Sequence, residues 1–115
     1  MIRVSRVYEA PGDHDGLRFL VERLWSRGIR KEELGLTAWL RDVAPSPGLR
    51  QWFGHVPERW SEFQQHYRDE LAANPAGWKP LLEACRQGNV TLLYSARDAE
   101  HNSALVLRAF LEAQL

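Results

Sequence analysis

The sequence predicts an α/β domain in which helices flank a sheet of about four strands. Short segments rich in β-branched and apolar residues occur near both ends of the chain, as expected for strands. Between them, apolar residues recur every three or four positions, as in amphipathic helices. The chain of 115 residues is close to the commonest domain size, so we expect a single α/β domain over residues 1–115.

Two strands are predicted in the first quarter of the chain. The segment "IRVSRVY", at residues 2–8, alternates apolar and polar side chains, and "LRFLVERLW", at residues 17–25, follows a cluster of turn residues. Side chains alternate between the two faces of a strand, so Arg23, Trp25 and Arg27 are expected on one face. Two guanidinium groups on one face call for an anionic partner, either a carboxylate of the protein or a bound ligand.

The middle of the chain is predicted to form short elements. "KEELG", at residues 31–35, is typical of a short helix that ends at glycine. We interpret "TAWLRDV", at residues 37–43, as a third strand, and the end of a helix is the alternative. Ser46 is then expected to cap a helix over residues 48–53.

The clearest helical pattern runs from Pro57 to about Ala73. Its apolar stripe consists of Val56, Trp60, Phe63, Tyr67 and Leu71. Proline suits the first helical position because no hydrogen bond needs its missing N–H there. A further helix is predicted over residues 77–87.

The junction between the last strand and the last helix contains candidate site residues. "VTLLYS", at residues 90–95, predicts a strand buried on both faces, and Asp98 is expected to cap a helix over residues 99–113. Ligands of open α/β sheets usually bind at such junctions, where free N–H groups favour anions. Helix capping does not explain His101 and Asn102, which are therefore candidates for a site.

His55 and Tyr67 are the other candidates outside the arginine pair. His55 precedes a helix that begins with proline, and the helix dipole disfavours a protonated ring at that place. It therefore suits a neutral base or a ligand, and a hydrogen bond to the backbone is the structural alternative. Tyr67 belongs to the apolar stripe, but its hydroxyl allows it to serve the core and a site together.

Composition and charge narrow the class of protein. Lys plus Arg and Asp plus Glu each number 15, so a broad nucleic-acid surface is not expected. No apolar stretch reaches the roughly 18–20 residues of a spanning helix, and the N-terminus lacks the apolar core of a signal peptide. The single cysteine, Cys85, excludes an intrachain disulfide and has the spacing of a core residue. We expect a cytoplasmic protein.

Three functions are compatible with these residues, and none of them indicates a particular cofactor. The first is binding of an anionic small molecule, with acid/base or hydrolytic chemistry as an extension. The second is a metal-dependent enzyme that uses two histidines and an aspartate as ligands. The third is a non-catalytic module for nucleic acid or protein, in which arginine contacts phosphate and tryptophan stacks on a base. Trp25 and Trp39 would form a homodimer surface if they are exposed.

The site residues that we predict fall into two groups. His55, His101 and Asp98 are the candidates for catalysis, and the same three are the metal ligands of the second hypothesis. The candidates for substrate binding are Arg23, Arg27, Tyr67 and Asn102.

Four motifs occur in order over nearly the whole chain. They read "VERLWSRG", "WL.DVAPS", "L..WFGH.PERW..F...Y..EL" and "VTLLYSA.D.EHN.A.VL". Together they resemble the YeaO-like proteins, within the group called domain of unknown function 488. The resemblance implies a small bacterial or archaeal cytoplasmic α/β domain, and it implies no established reaction.

The resemblance also marks polar positions and one departure. The family's characteristic polar positions correspond here to Arg23, Arg27, His55, Tyr67, Asp98, His101 and Asn102. The departure is Ser26, which stands where the family usually has proline, within a typical "RLWPRG". The turn before Arg27 therefore lacks the fixed φ that proline would impose.

Overall fold

The computed structural model, which describes residues 1–115, confirms the predicted α/β fold with a sheet of four strands. The strands are β1 (Ile2–Arg6), β2 (Leu17–Leu20), β3 (Ala38–Trp39) and β4 (Val90–Tyr94). The helices are α1 (Lys31–Leu34), α2 (Pro47–Phe53), α3 (Trp60–Ala72), α4 (Pro75–Gln87) and α5 (Ser103–Gln114), with short 3₁₀ helices at Arg41–Val43 and Pro57–Arg59. None of the helices has the length and apolar character that crossing a membrane requires.

The sheet has the strand order β1-β4-β2-β3, and all its pairings are parallel. Leu92 at the centre of β4 lies opposite Val4 on one side and Phe19 on the other. All strands run in one direction, so their carboxyl ends meet at one edge of the sheet. The loops that follow the strands are therefore gathered at that edge.

Apolar residues cover both faces of β4, as the sequence predicts for a strand buried on both sides. Leu92 belongs to the large core, which includes residues of α3, α4 and α5. Leu93 points to the other face and joins a small cluster with Val7, Leu20 and Leu34. The neighbours of β4 are thus fixed by packing as well as by hydrogen bonds.

The predicted second strand is too long. β2 ends at Leu20, and residues 22–28 form an irregular loop, so Arg23, Trp25 and Arg27 do not share the face of a strand. The cause is a side chain: the Glu22 carboxylate accepts the backbone N–H of Ser95 at 2.9 Å. If β2 and β4 continued side by side, the Ser95 N–H would have to donate to a backbone carbonyl of the neighbouring strand.

Residues 37–43 combine both of the structures that we considered for them. β3 contains only two residues, and a 3₁₀ turn follows at Arg41–Val43. Ser46 caps α2 as predicted, because its hydroxyl accepts the N–H of Leu49 at 3.2 Å. Pro57 is also confirmed as the first residue of a helical segment.

The predicted cap of the last helix is wrong. Asn102 caps α5, since its Oδ1 accepts the N–H of Leu105 at 3.1 Å. Asp98 instead accepts the N–H groups of Glu100 and His101 at 2.8 and 3.1 Å, which closes a turn before the helix. Either side chain can cap a helix, so local sequence did not distinguish between them.

Tyr67 is 1% exposed, and its hydroxyl donates to the carbonyl of Val43 at 2.6 Å. Burial first, and then the carboxylates of Glu22 and Glu70, raise the pKa of Tyr67 above its ordinary value. The hydroxyl therefore keeps its proton and holds the segment after β3 against α3.

Replacement of Tyr67 by phenylalanine tests this buried hydrogen bond. We expect Tyr67→Phe to lower the free energy of unfolding by about 1–2 kcal/mol in urea titrations, because the Val43 carbonyl loses its partner. Tyr8→Phe is the control: the Tyr8 hydroxyl donates to the carbonyl of Arg27 at an exposed place, where water replaces it. Equal losses in the two variants would contradict the assignment.

Candidate functional site

A cleft of about 430 Å³ lies at the edge of the sheet where the parallel strands end. Its walls are the loops after the strands and part of α2 with the turn that follows it. The polar residues of the walls are Glu22, Arg23, Ser26, Arg27, Arg50, His55, Ser95, His101, Asn102 and Ser103. Open α/β sheets bind their ligands in this crevice, and the volume suits a small molecule.

Arg23 is held mainly by backbone carbonyl groups. Its Nε donates to Pro45 at 3.1 Å, and its Nη2 donates to Ala44 at 3.3 Å. Asp42 is 3.7 Å from Nη1, but the Asp42 side chain is 90% exposed, so this ion pair is weak. Arg23 therefore ties the loop after β2 to the segment after β3 and shapes the wall of the cleft.

Arg27 and Arg50 also line the cleft, and both are exposed. Neither guanidinium takes part in any of the ion pairs of the chain. The backbone at Arg27 is nevertheless fixed, because its carbonyl accepts the hydroxyl of Tyr8 at 3.0 Å and Gly28 follows at φ +74°. Both arginines are therefore presented to the cleft with their hydrogen-bond donors available.

Glu22 supplies the carboxylate of the cleft wall. Its Oε1 accepts the N–H of Ser95 at 2.9 Å and the hydroxyl of Ser95 at 3.3 Å. These bonds join the loop after β2 to the loop after β4. Glu22 makes no ion pair, although three arginines line the same cleft.

His101 lies in the cleft wall and pairs with Asp98. The Nδ1 of His101 is 2.8 Å from Oδ2 of Asp98, which leaves Nε2 as the ring nitrogen without that contact. The backbone N–H of Glu100, followed by the bond to His101, lowers the pKa of Asp98 below its ordinary value. Asp98 thus stays ionised and orients the imidazole, while the His101 ring lies edge-on against Trp60 at 5.3 Å.

Asn102 has little freedom to bind anything else. Its Oδ1 caps α5, and its Nδ2 donates to the carbonyl of Asp98 at 3.0 Å. The residue is 4% exposed although it lines the cleft. Its amide mainly shapes the turn that carries His101.

His55 has an uncommon backbone conformation. Its φ is +57°, the only positive φ of a residue other than glycine in the chain, and Gly54 before it has φ +52°. The left-handed region costs such a residue roughly 1 kcal/mol, and residues held there often mark functional sites. The exposed imidazole lines the cleft, with its ring centre 6.0 Å from that of Phe53.

The structure brings most of the predicted site residues together. Those that line the cleft are Arg23, Arg27, His55, His101 and Asn102. Asp98 contacts His101 but does not line the cleft, and the buried Tyr67 donates its hydroxyl to the protein's own backbone. No group of three His, Cys, Asp or Glu side chains is arranged to hold a metal ion, so the proposed ligand set is not assembled.

The tryptophans considered for a homodimer surface pack against each other inside the chain. The Trp25 and Trp39 rings are 5.3 Å apart and edge-on, and both are partly buried. Their indole N–H groups donate to the carbonyls of Ile29 and Glu22. The pair therefore stabilises the loop after β2.

Sequence reasoning missed Glu22, Arg50 and Ser26 as cleft residues. The α2 helix was predicted, but no local pattern shows that Arg50 on it faces the cleft. Ser26 is 4% exposed, and its hydroxyl is buried without a hydrogen-bond partner. Such a group costs roughly 1–3 kcal/mol.

Glycine at position 55 should relieve the backbone strain and stabilise the protein. We expect His55→Gly to raise the free energy of unfolding by about 0.5–1 kcal/mol, because glycine adopts positive φ freely. His55→Ala retains the strain and should not show this gain. Chemical denaturation of the three proteins measures the difference, and equal stability of the two variants would contradict a strained backbone.

The Asp98–His101 pair predicts a pH dependence of stability. The folded-state pKa of Asp98 lies below its ordinary value, so its contribution is present near neutral pH and is lost as the pH falls through that lowered pKa. We expect Asp98→Asn to be less stable than the wild type near pH 7, and the difference to vanish in strong acid. Asp13→Asn, in an exposed turn, is the control, and a difference that persists in strong acid would exclude the pair as its source.

Comparison with known proteins confirms the resemblance seen in the sequence. The chain matches the family DUF488-N3i, described as the inactive DUF488-N3 subclade, over residues 1–115. The uncharacterised protein YeaO of Escherichia coli K12 is 38% identical over 97% of this chain and 97% of its own length. An uncharacterised protein of Mycobacterium tuberculosis H37Rv is 39% identical over 98% of this chain and 95% of its own length. No solved structure matches the chain significantly. The chain belongs to the DUF488-N3i family.

Proposed function

We propose that this protein is a non-catalytic binding protein for an anionic small molecule, which it holds in the cleft. The observation that carries the proposal is the presence of Arg27 and Arg50, both exposed and without an ion-pair partner, in one concave site. The chain as a whole has no net charge, so this local excess of positive charge is not a general property of the surface. Guanidinium groups bind phosphate and carboxylate through two parallel hydrogen bonds.

The surrounding residues support this role. Arg23 and Tyr8 brace the loop that carries Arg27, so little ordering of the backbone is needed when an anion binds. His55 lines the same cleft, and its exposed imidazole adds an N–H donor. The site therefore offers several donors from separate elements to one oxyanion.

Binding without catalysis agrees with the description of the family as inactive. Asp98 and Asn102 are engaged in the turn before α5, and this limits them to positioning His101. The 2.8 Å contact between Asp98 and His101 favours one second candidate, in which His101 acts as a general base. If His101 has that role, the wild type converts a bound anion to product, and His101→Asn does not.

We also propose the cytoplasm as the location. The single cysteine, Cys85, is buried and free, which suits a reducing compartment. The balanced charge makes an extended nucleic-acid partner a poor fit.

Thermal shift and calorimetry with inorganic phosphate, pyrophosphate, sulfate and acetate test the proposal. An anion that binds only the folded state raises the melting temperature by mass action. We expect at least one of these anions to stabilise the wild type, and Arg27→Ala and Arg50→Ala each to weaken its binding by about tenfold or more.

Arg68→Ala is the matched control, since Arg68 is exposed on α3 and lies outside the cleft. It removes the same charge from the protein and should leave binding nearly unchanged. If no anion stabilises the wild type, or if all three variants bind alike, the proposed function is wrong.

A further inference from the structure

We infer that the ligand carries hydroxyl groups beside its anionic group, which makes phosphorylated polyols and sugars the ligand class of the cleft. This inference rests on the proposed function and concerns the same site. It is carried by Glu22, an acidic side chain that lines a cleft otherwise rich in arginine.

Glu22 is held firmly in the wall. Its Oε1 accepts two hydrogen bonds from Ser95, and its backbone carbonyl accepts the indole N–H of Trp39 at 2.6 Å. The second carboxylate oxygen, Oε2, accepts no hydrogen bond from the protein. The carboxylate is therefore oriented, and one of its oxygens has acceptor capacity left.

A carboxylate only accepts hydrogen bonds and repels an anion. A ligand that consisted of an oxyanion alone would gain from Arg27 and Arg50 and lose from Glu22. A ligand with a donor group beside the oxyanion satisfies both parts of the cleft. The structure thus calls for a ligand with an anionic end and a hydrogen-bond donor close to it.

Hydroxyl groups fit this donor better than an ammonium group does. The cleft is already lined by Arg23, Arg27 and Arg50, which would repel an ammonium group of the ligand. The wall also contains Ser103, which carries a hydroxyl group. Hydroxyls both donate and accept, so ligand hydroxyls can pair with serine and with Glu22 alike.

The anionic end is best matched by a phosphate. Arg27 and Arg50 come from different elements, and each guanidinium can present two parallel N–H groups. A phosphate monoester has three terminal oxygens and up to two negative charges, which suffice for two arginines. A carboxylate has two oxygens and one charge.

Calorimetric titration of the full chain with three probes tests the inference. Ribose 5-phosphate carries hydroxyls, methyl phosphate carries none, and phosphoethanolamine carries an ammonium group. We expect the wild type to bind ribose 5-phosphate about tenfold or more tightly than methyl phosphate. A hydrogen bond from a ligand hydroxyl to the charged Glu22 carboxylate accounts for a difference of this size.

Glu22→Gln is the decisive variant. Glutamine retains the shape of Glu22 and an oxygen that can accept from Ser95, but it replaces the free acceptor by an NH₂ donor. We expect Glu22→Gln to bind ribose 5-phosphate and methyl phosphate about equally tightly. It should bind methyl phosphate at least as tightly as the wild type does. Glu62→Gln, at an exposed position on α3, is the control for the change of charge and should retain the preference.

The outcomes separate this inference from the proposed function. If methyl phosphate binds in a manner that depends on Arg27 and ribose 5-phosphate binds no tighter, the inference is overturned and the proposed function stands. A preference for phosphoethanolamine, or a sugar preference that survives in Glu22→Gln, also overturns it. If no phosphate binds the wild type, both are overturned. The comparison of probes on the wild type decides the matter even if the variant does not fold.

Discussion

The central position of β4 is the constraint on which the rest of the molecule depends. β4 pairs in parallel with both β1 and β2, and every one of its side chains is buried. Parallel pairing places all carboxyl ends at one edge, so the loops after the strands have to meet there. The cleft is the space between these loops, and Glu22, which accepts the N–H of Ser95, joins the loops after β2 and β4 in its wall.

Four arginines occupy three different environments, and the comparison separates structural arginines from those available for binding. Arg18 is 5% exposed and pairs with the buried Asp15, so its charge is neutralised inside the protein. Arg23 is partly exposed and is held by backbone carbonyls that shape the cleft. Arg27 and Arg50 have no partner at all, and water alone competes for their donors. The guanidinium donors become more available for hydrogen bonding along this series, so Arg27 and Arg50 are the best placed to bind a ligand.

The sequence by itself determined what depends on neighbours within about two turns of helix. The apolar stripe of α3, the cap at Ser46 and the helical start at Pro57 follow from local spacing and backbone chemistry. The β-branched and largely apolar pattern of β4 predicts that both its faces are covered, and all five residues are buried. The four motifs predicted the family, and with it five residues that line the cleft.

Only the tertiary structure decided what depends on residues far apart in the chain. β2 stops at Leu20 because Glu22 binds Ser95, which is 73 residues away in sequence. Tyr67 faces Val43 and not the cleft because α3 packs in that orientation, whereas α2 presents Arg50 to the cleft. Local sequence encodes whether a side chain is apolar, charged or able to cap a helix. Which other segment it meets is determined by the packing of the whole chain.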